Sequence, residues 1–536
     1  MSLRTFLYST PFHAWRLARH APDDLVSVPA DCWPGDADAG RLMLDGRLAR
    51  FAEAVDLPAA DWKTDALNPD MVEHLHGFAW LRDLRELGGD AARVLARDLV
   101  AGWIARHGRW DRTLWRADLI GERLANWLAH HDFLAGSADD EFQDALTLSV
   151  VLQTRHLSRD LGSAPAGRRR FRAVKGLVLG SAALDDDAMA ATAFSGLEMA
   201  MAAEVAADGG HRSRAPASHL SVMRDLIEAR NALRMTERGA PEALQPTILA
   251  MTAALRLWRH GDGGLALFNG ATEGNRAEIE AVLAQAEANR KTPPDLPDTG
   301  YQRLVAGRSC VIADSGRPEA LDGEAHAAPL AFEFSHGKQR IVVNCGSAPG
   351  DPRWHDALRA SAAHSTLVID DRNAAEVGAD GAVGPRPADV SVDRKDAEGR
   401  SLVELSHDGY GETHGLVHHR RLFLEADGTD LRGEDRLVYT GAPGEQARDA
   451  AVRFHLHPRV RASLVQGGGT AILAPPSGPG WRLRADVPMA LNDSVYFGPD
   501  GTLQRTSQIV LTLPLVAVRE SGEATVRWSI RREDPK

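Results

Sequence analysis

The chain has 536 residues, 44% of them hydrophobic and 25% charged, with a formal net charge of -12. That length exceeds what one hydrophobic core usually covers, so two domains are expected. The acidic balance lacks the basic footprint of nonspecific nucleic-acid binding and excludes that class.

The basic residues are almost all Arg, whose planar fork suits carboxylates and sulfates, although genome base composition explains the bias equally well. Cys32, Cys310 and Cys345 are odd in number and far apart, so neither a disulfide framework nor a paired-cysteine metal motif is expected. The opening stretch MSLRTFLYSTPFHAWRLARHAPDD has no continuous apolar core and no small-residue cleavage site. It is not read as a signal peptide. No run approaches the ~18 apolar residues of a membrane-crossing helix. The cytoplasm is the expected location, and no membrane partner is expected. A homodimer is compatible with the sequence.

From about residue 70 to 290 the apolar period is helical. In WRADLIGERLANWLAHHDFL, Trp115, Leu119, Ile120, Leu124, Trp127 and Leu128 share one stripe. FQDALTLSVVLQTRHLSRDL and HLSVMRDLIEARNALRMTERG behave alike, and short breakers such as ADGGHRSRAP separate them. An array of antiparallel helices over residues 1–290 follows. The stretch NRKTPPDLPDTG carries three prolines in polar surroundings, so residues 291–300 are assigned to a stiff linker.

Beyond it the period becomes two. PLAFEFSHGKQRIVVN alternates Leu330, Phe332 and Phe334 before turning at SHGK, and HHRRLFLEADGTDLRGEDRLVY repeats the form around ADGT. AVRFHLHPRV, TAILAPP and QIVLTLPLVAVRE continue it. Residues 301–536 therefore read as an antiparallel β-sandwich.

Four groups of residues could carry chemistry. His326, Asn344 and His364 lie among apolar residues, with Glu324 on the same strand face as His326 if that strand is unbroken. Imidazole, amide oxygen and carboxylate are all ligands for a divalent ion. Taken locally, hydrogen-bonded core histidines are the simpler reading. The loop DGGHRSRAPASH offers His211, Arg212, Arg214 and His219: arginine could grip a sugar carboxylate and histidine could move a proton. The alternative is a solvated turn with Asp208 as a helix cap. GRRRFRAVKG, with Arg168 and Arg169, is either a solvated helix face or a positive wall for an anionic substrate. Tyr410, in HDGYGETHG, is either a packing residue or a proton-transferring phenol. A hydrolase using Glu324 and Glu333 is disfavoured, because their spacing puts them on opposite faces of a continuous strand.

Together, AHAAPLAFEFSHGKQRIVVNCG, LRASAAHSTLVIDD, DGGHRSRAP, FAWLRDLREL and HGDGGLALFNG resemble the heparinase II/III-like polysaccharide lyases over nearly the whole chain. The resemblance implies an incomplete (α/α) toroid followed by an antiparallel β-sandwich, with the substrate groove between them. It implies β-elimination from a uronic-acid oligo- or polysaccharide: a base takes the C5 proton, the carboxylate is neutralised, and an acid protonates the leaving oxygen. It also implies a divalent ion (Zn, Mn or Ca) in the β domain. By position, His326 and His364 match the family's two metal histidines, and Asn344 stands where the aspartate would. Glu324 replaces a catalytic histidine, Arg168 and Arg169 replace a substrate-contacting Asn and His, and Ser218 stands at the catalytic tyrosine. The expected catalytic set is therefore His211, Tyr410 and His326. The expected substrate contacts are Arg168, Arg214, His219, Glu324 and Arg359. The expected metal ligands are His326, Asn344 and His364. The alternative from a different class is a catalytically inactive carbohydrate-binding or scaffold protein on the same fold.

Overall fold

The computed structural model describes residues 3–533 apart from 27, 52, 58–61, 63–66, 288–289, 379–382, 443 and 500. The chain divides into two compact units. One comprises Met1–Val205, Leu220–Leu249 and Glu280–Ala288; the other comprises Ala206–His219, Ala250–Ile279 and Asn289–Lys536.

The first unit is helical, with one small hairpin of Arg47–Arg50 and Glu53–Asp56. Its helices start where short polar side chains can accept the free N–H groups of a first turn. Asn68 Oδ1 accepts from Met71 N ahead of Pro69–Gly77, Asp139 from Phe142 N ahead of Asp140–Asp160, and Asp186 from Met189 N ahead of Asp187–Glu204. The stripe read from the sequence is buried on helix Ala117–Ala129: Leu119, Ile120, Leu124, Trp127 and Leu128. Phe78 packs among Trp80, Trp103 and Trp127, with ring centroids 5.0, 6.0 and 5.2 Å away. Helix Arg168–Ala183 crosses Ala117–Ala129 with the two backbones in contact. A Cβ on Gly176 would lie 2.2 Å from Gly121 Cα, so glycine is required at the crossing.

The second unit holds two antiparallel sheets. Among the described residues, one runs in the order Arg461–Val465, Thr470–Ala474, Trp481–Ala485, Glu523–Arg532, Asp430–Tyr439, Leu416–Leu424, Arg400–Tyr410, Val390–Ala397. The other runs Met489–Phe497, Leu503–Pro514, Asp449–Leu456, Gln339–Val343, Phe332–His336, Ser309–Asp314, Tyr301–Ala306, Asp295–Leu296, with Leu367–Ile369 pairing off Asp449–Leu456. One core joins the inner faces of both: Val311, Phe332, Phe334, Phe454 and Leu511 from one sheet, Leu422, Leu431, Trp481 and Trp528 from the other. Phe332 stacks on Trp528 at 5.5 Å and 10°.

Strand Phe332–His336 is buried on both faces, not one. Its second face is covered by Ala250–Ile279, a segment that the period alone assigns to the helical half. The physical reason is bonding across sequence: His260 reaches Ser335 Oγ at 2.7 Å and Glu333 Oε2 at 2.8 Å. The expected linker is likewise structured at its end. Asp295–Leu296 pairs with Tyr301–Ala306, and Asp208 accepts from Thr299 N and Thr299 Oγ1, each at 2.7 Å.

Candidate functional site

The loop at residues 206–219, the stretch from His260 to Asn269 and the segment from Glu324 to His364 meet within the second unit. Asn269 is the junction. Its backbone is left-handed (φ 48°), a conformation that Asn tolerates better than most residues. Its Oδ1 accepts from His326 N at 3.1 Å, and its Nδ2 donates to Arg214 O at 3.1 Å and to Tyr301 Oη at 2.8 Å. Tyr301 in turn donates to Arg214 O at 2.7 Å. Two of the groups that the sequence singles out are thus brought together, and Asn269, Tyr301 and Asp314 are the members that sequence reasoning missed. The motif HGDGGLALFNG contained the signal for Asn269, since an Asn before Gly marks a tight turn.

Arg214 does not present a free guanidinium. Nε donates to Thr299 O at 2.7 Å, one terminal nitrogen to Arg317 O at 2.6 Å, and the other to Gly300 O at 3.3 Å and to the Asp314 carboxylate. Burial opposes its charge, but Asp314 more than offsets this and raises the pKa. It is a structural clamp, contrary to its expected role of gripping a substrate carboxylate.

His219 is also committed. Nδ1 accepts from His211 N at 3.2 Å, and Nε2–H donates to Met251 O at 2.8 Å. Burial lowers its pKa to about 3, so it is a neutral core residue and not a substrate contact. His211 is buried beside it, with Nδ1 2.7 Å from Ser213 Oγ. Ser218 is buried on helix Pro216–Arg234, and its hydroxyl has no hydrogen-bond partner among the described residues.

Tyr410 ends strand Arg400–Tyr410, inside the sandwich core rather than in a loop. Its hydroxyl donates to Leu367 O at 3.1 Å and lies 3.3 Å from Arg372 O. Burial pushes its pKa up, the reverse of what proton transfer near neutral pH requires.

Around the histidine pair, His364 Nδ1–H donates to Ala360 O at 2.9 Å, which leaves Nε2 as an acceptor. His326 Nδ1 lies 2.9 Å from that Nε2 and supplies the proton. Burial lowers His364 to about 4 and holds His326 well below the ordinary range. Asn344 Oδ1 accepts from Ser365 N at 2.9 Å, and its own N–H donates to Glu333 Oε1 at 3.0 Å. Arg359 donates to Ala325 O at 3.0 Å, Gly378 O at 2.9 Å and Gly323 O at 3.1 Å; it braces the loop that carries His326. Glu324 follows a short helical turn and lies over Gly270, so it is not on a strand with His326. The buried Glu333 carboxylate serves His260, Leu267 N and Asn344 N, which removes the paired-carboxylate hydrolase.

Arg168 lies in the first unit, at the start of helix Arg168–Ala183. The basic run there meets carboxylates from other helices. Arg169 and Arg172 reach Glu73 at 2.9 and 2.8 Å, Arg170 reaches Glu204 at 2.8 Å, and Lys175 reaches Glu122, Asp225 and Glu228 at 3.1, 2.7 and 3.2 Å. Burial raises the pKa of Glu73, but Arg172, Arg169 and Arg168 outweigh it and hold the carboxyl at about 2. The run is therefore neither a bare positive wall nor a simple solvated face.

The family model of the heparinase II/III-like C-terminal domain matches residues 288–529. The chain is also 32% identical, over 97% of its own length and 92% of the relative's, to FtsZ-localized protein C of Caulobacter vibrioides. The chain belongs to the heparinase II/III-like family. Among solved structures, heparinase III superposes with a TM-score of 0.74 at 13% identity, covering 97% of this chain and 86% of that one. A mutant of a heparan sulfate lyase from Pedobacter heparinus gives 0.64 at 15% identity, covering 98% and 88%. These likenesses establish the fold: an (α/α) toroid followed by an antiparallel β-sandwich, as the sequence led us to expect.

Proposed function

We propose that this protein recognises an acidic, uronic-acid-containing saccharide on a lyase fold and does not cleave it by β-elimination. The observation that carries the reading is the inward commitment of the residues to which the sequence assigns proton transfer and carboxylate gripping. Tyr410 is bonded into the β core, both ring nitrogens of His219 are in use, and Arg214 clamps backbone carbonyls and Asp314. A base or acid must come within hydrogen-bond reach of substrate, and these groups spend that reach on the protein itself. The likeness to a relative whose name records localisation with FtsZ supports a place for this chain beside FtsZ. The His211–Ser213 contact favours a second reading, in which His211 acts as the base of a slow lyase.

The test is an ultraviolet assay for the unsaturated uronate product, run with glycan-array binding on a panel of uronic-acid saccharides. Binding without product supports the proposal. Product formation that is lost in His211→Ala establishes the second reading. Absence of both overturns the saccharide assignment and leaves pelleting with FtsZ filaments as the remaining arm.

A further inference from the structure

We propose that the His326–His364–Asn344 cluster is a metal-free form of its family's ion site, and that the amide at position 344 keeps it so. A resident divalent ion needs three or more lone pairs directed at one point. Here two imidazole nitrogens face each other at 2.9 Å with a proton between them, because His364 Nε2 is already fixed as the acceptor by the bond from Nδ1 to Ala360 O. The third expected donor is already engaged: Asn344 Oδ1 accepts from Ser365 N at 2.9 Å. Reversing the amide would set two N–H donors against each other, so the hydrogen bonds define its orientation. What remains is Nδ2, a buried donor with no partner among the described residues. A donor cannot ligate a cation. The Glu333 carboxylate is committed elsewhere, to His260, Leu267 N and Asn344 N. Among the described residues no three His, Cys, Asp or Glu side chains stand together as a ligand set.

Aspartate at 344 would change this with one atom. One carboxylate oxygen can keep the bond from Ser365 N while the other replaces Nδ2 with a charged acceptor. With the proton between the imidazoles displaced by the ion, the donor set then has two imidazoles and one carboxylate, enough for a zinc-type site with one open position.

The experiment measures metal content after dialysis, followed by calorimetric titration with ZnCl2, MnCl2 or CaCl2 alone, on wild type, His364→Ala, Asn344→Asp and Asn344→Asp/His364→Ala, with folding checked by circular dichroism. Wild type is expected to hold no ion that depends on His364. Asn344→Asp is expected to gain about one equivalent per chain, lost again in the double variant. A wild-type equivalent that disappears in His364→Ala overturns the proposal. A folded Asn344→Asp protein that takes up no more metal than wild type overturns the role given to residue 344. Should that variant fail to fold, the comparison of wild type with His364→Ala decides alone.

Discussion

Tyr410 carries one hydroxyl into an otherwise apolar layer and donates it to Leu367 O. Tyr410→Phe leaves that carbonyl unpaired, and a loss of about 1 kcal/mol in urea unfolding is expected, with saccharide binding unchanged. Arg214 is more heavily committed. Arg214→Met strands the buried Asp314 carboxylate, and a loss of about 3–5 kcal/mol is expected from the same measurement. If Arg214 instead gripped a ligand carboxylate, binding would fall while stability held. These two residues also show where the sequence could be read and where it could not. Arg and Tyr in Gly-flanked stretches have the right chemistry for a site, but their partners are the carbonyls of Thr299, Gly300, Arg317 and Leu367. Backbone carbonyls carry no sequence signal.

At the scale of elements, the crossing of helices Ala117–Ala129 and Arg168–Ala183 is set by two glycines. Gly176→Ala puts a methyl onto the Gly121 backbone, and the helices must separate. A loss of about 1–3 kcal/mol is expected, read from the thermal midpoint, and Gly121→Ala should behave alike because its Cβ meets Arg172 O and Ala173 Cα. Elements themselves were legible wherever periodicity was strong: the amphipathic stripe on Ala117–Ala129 and the hairpin of Phe332–His336 with Gln339–Val343 both formed where expected. The segment 250–279 was not. Its helix Leu244–Leu257 has an ordinary helical pattern, and nothing local announces that the following turns will cover the second face of a strand some 70 residues later, where His260 meets Glu333. Long-range pairing of buried polar groups leaves no period to read.

For the whole molecule, acid is the condition that tests the buried polar groups together. His219, His364 and His455 are neutral in the fold, lowered by burial to about 3, 4 and 3. The unfolded chain binds protons at these positions below an ordinary pKa of ~6.5, and the folded chain does not, so their contribution is complete above that pH and is lost as pH falls toward the folded values. Each should cost about 1.4 kcal/mol one unit below the unfolded pKa. Glu273 acts in the same direction at lower pH. Burial raises it, but His457, Arg340 and the Tyr496 hydroxyl hold it at about 2, and its contribution is lost between ~4.3 and that value. A thermal midpoint that is flat from neutral pH upward and falls below pH ~6.5 is expected, with a shallower fall in His219→Gln. A midpoint independent of pH down to the carboxylate range would contradict the neutral-histidine account.

The β unit is not contiguous in sequence: it takes Ala206–His219 and Ala250–Ile279 from within the helical half. Its inheritance is constrained as a result. A gene fragment beginning at the proline stretch would encode every strand of both sheets yet omit His260 and Asn269. The Glu333 carboxylate would then lose His260 and Leu267 N, and the His326 loop would lose its anchor. Recombination that moves the sandwich between proteins must therefore carry the helical region with it or replace these contacts, so the two halves are expected to travel as one hereditary block.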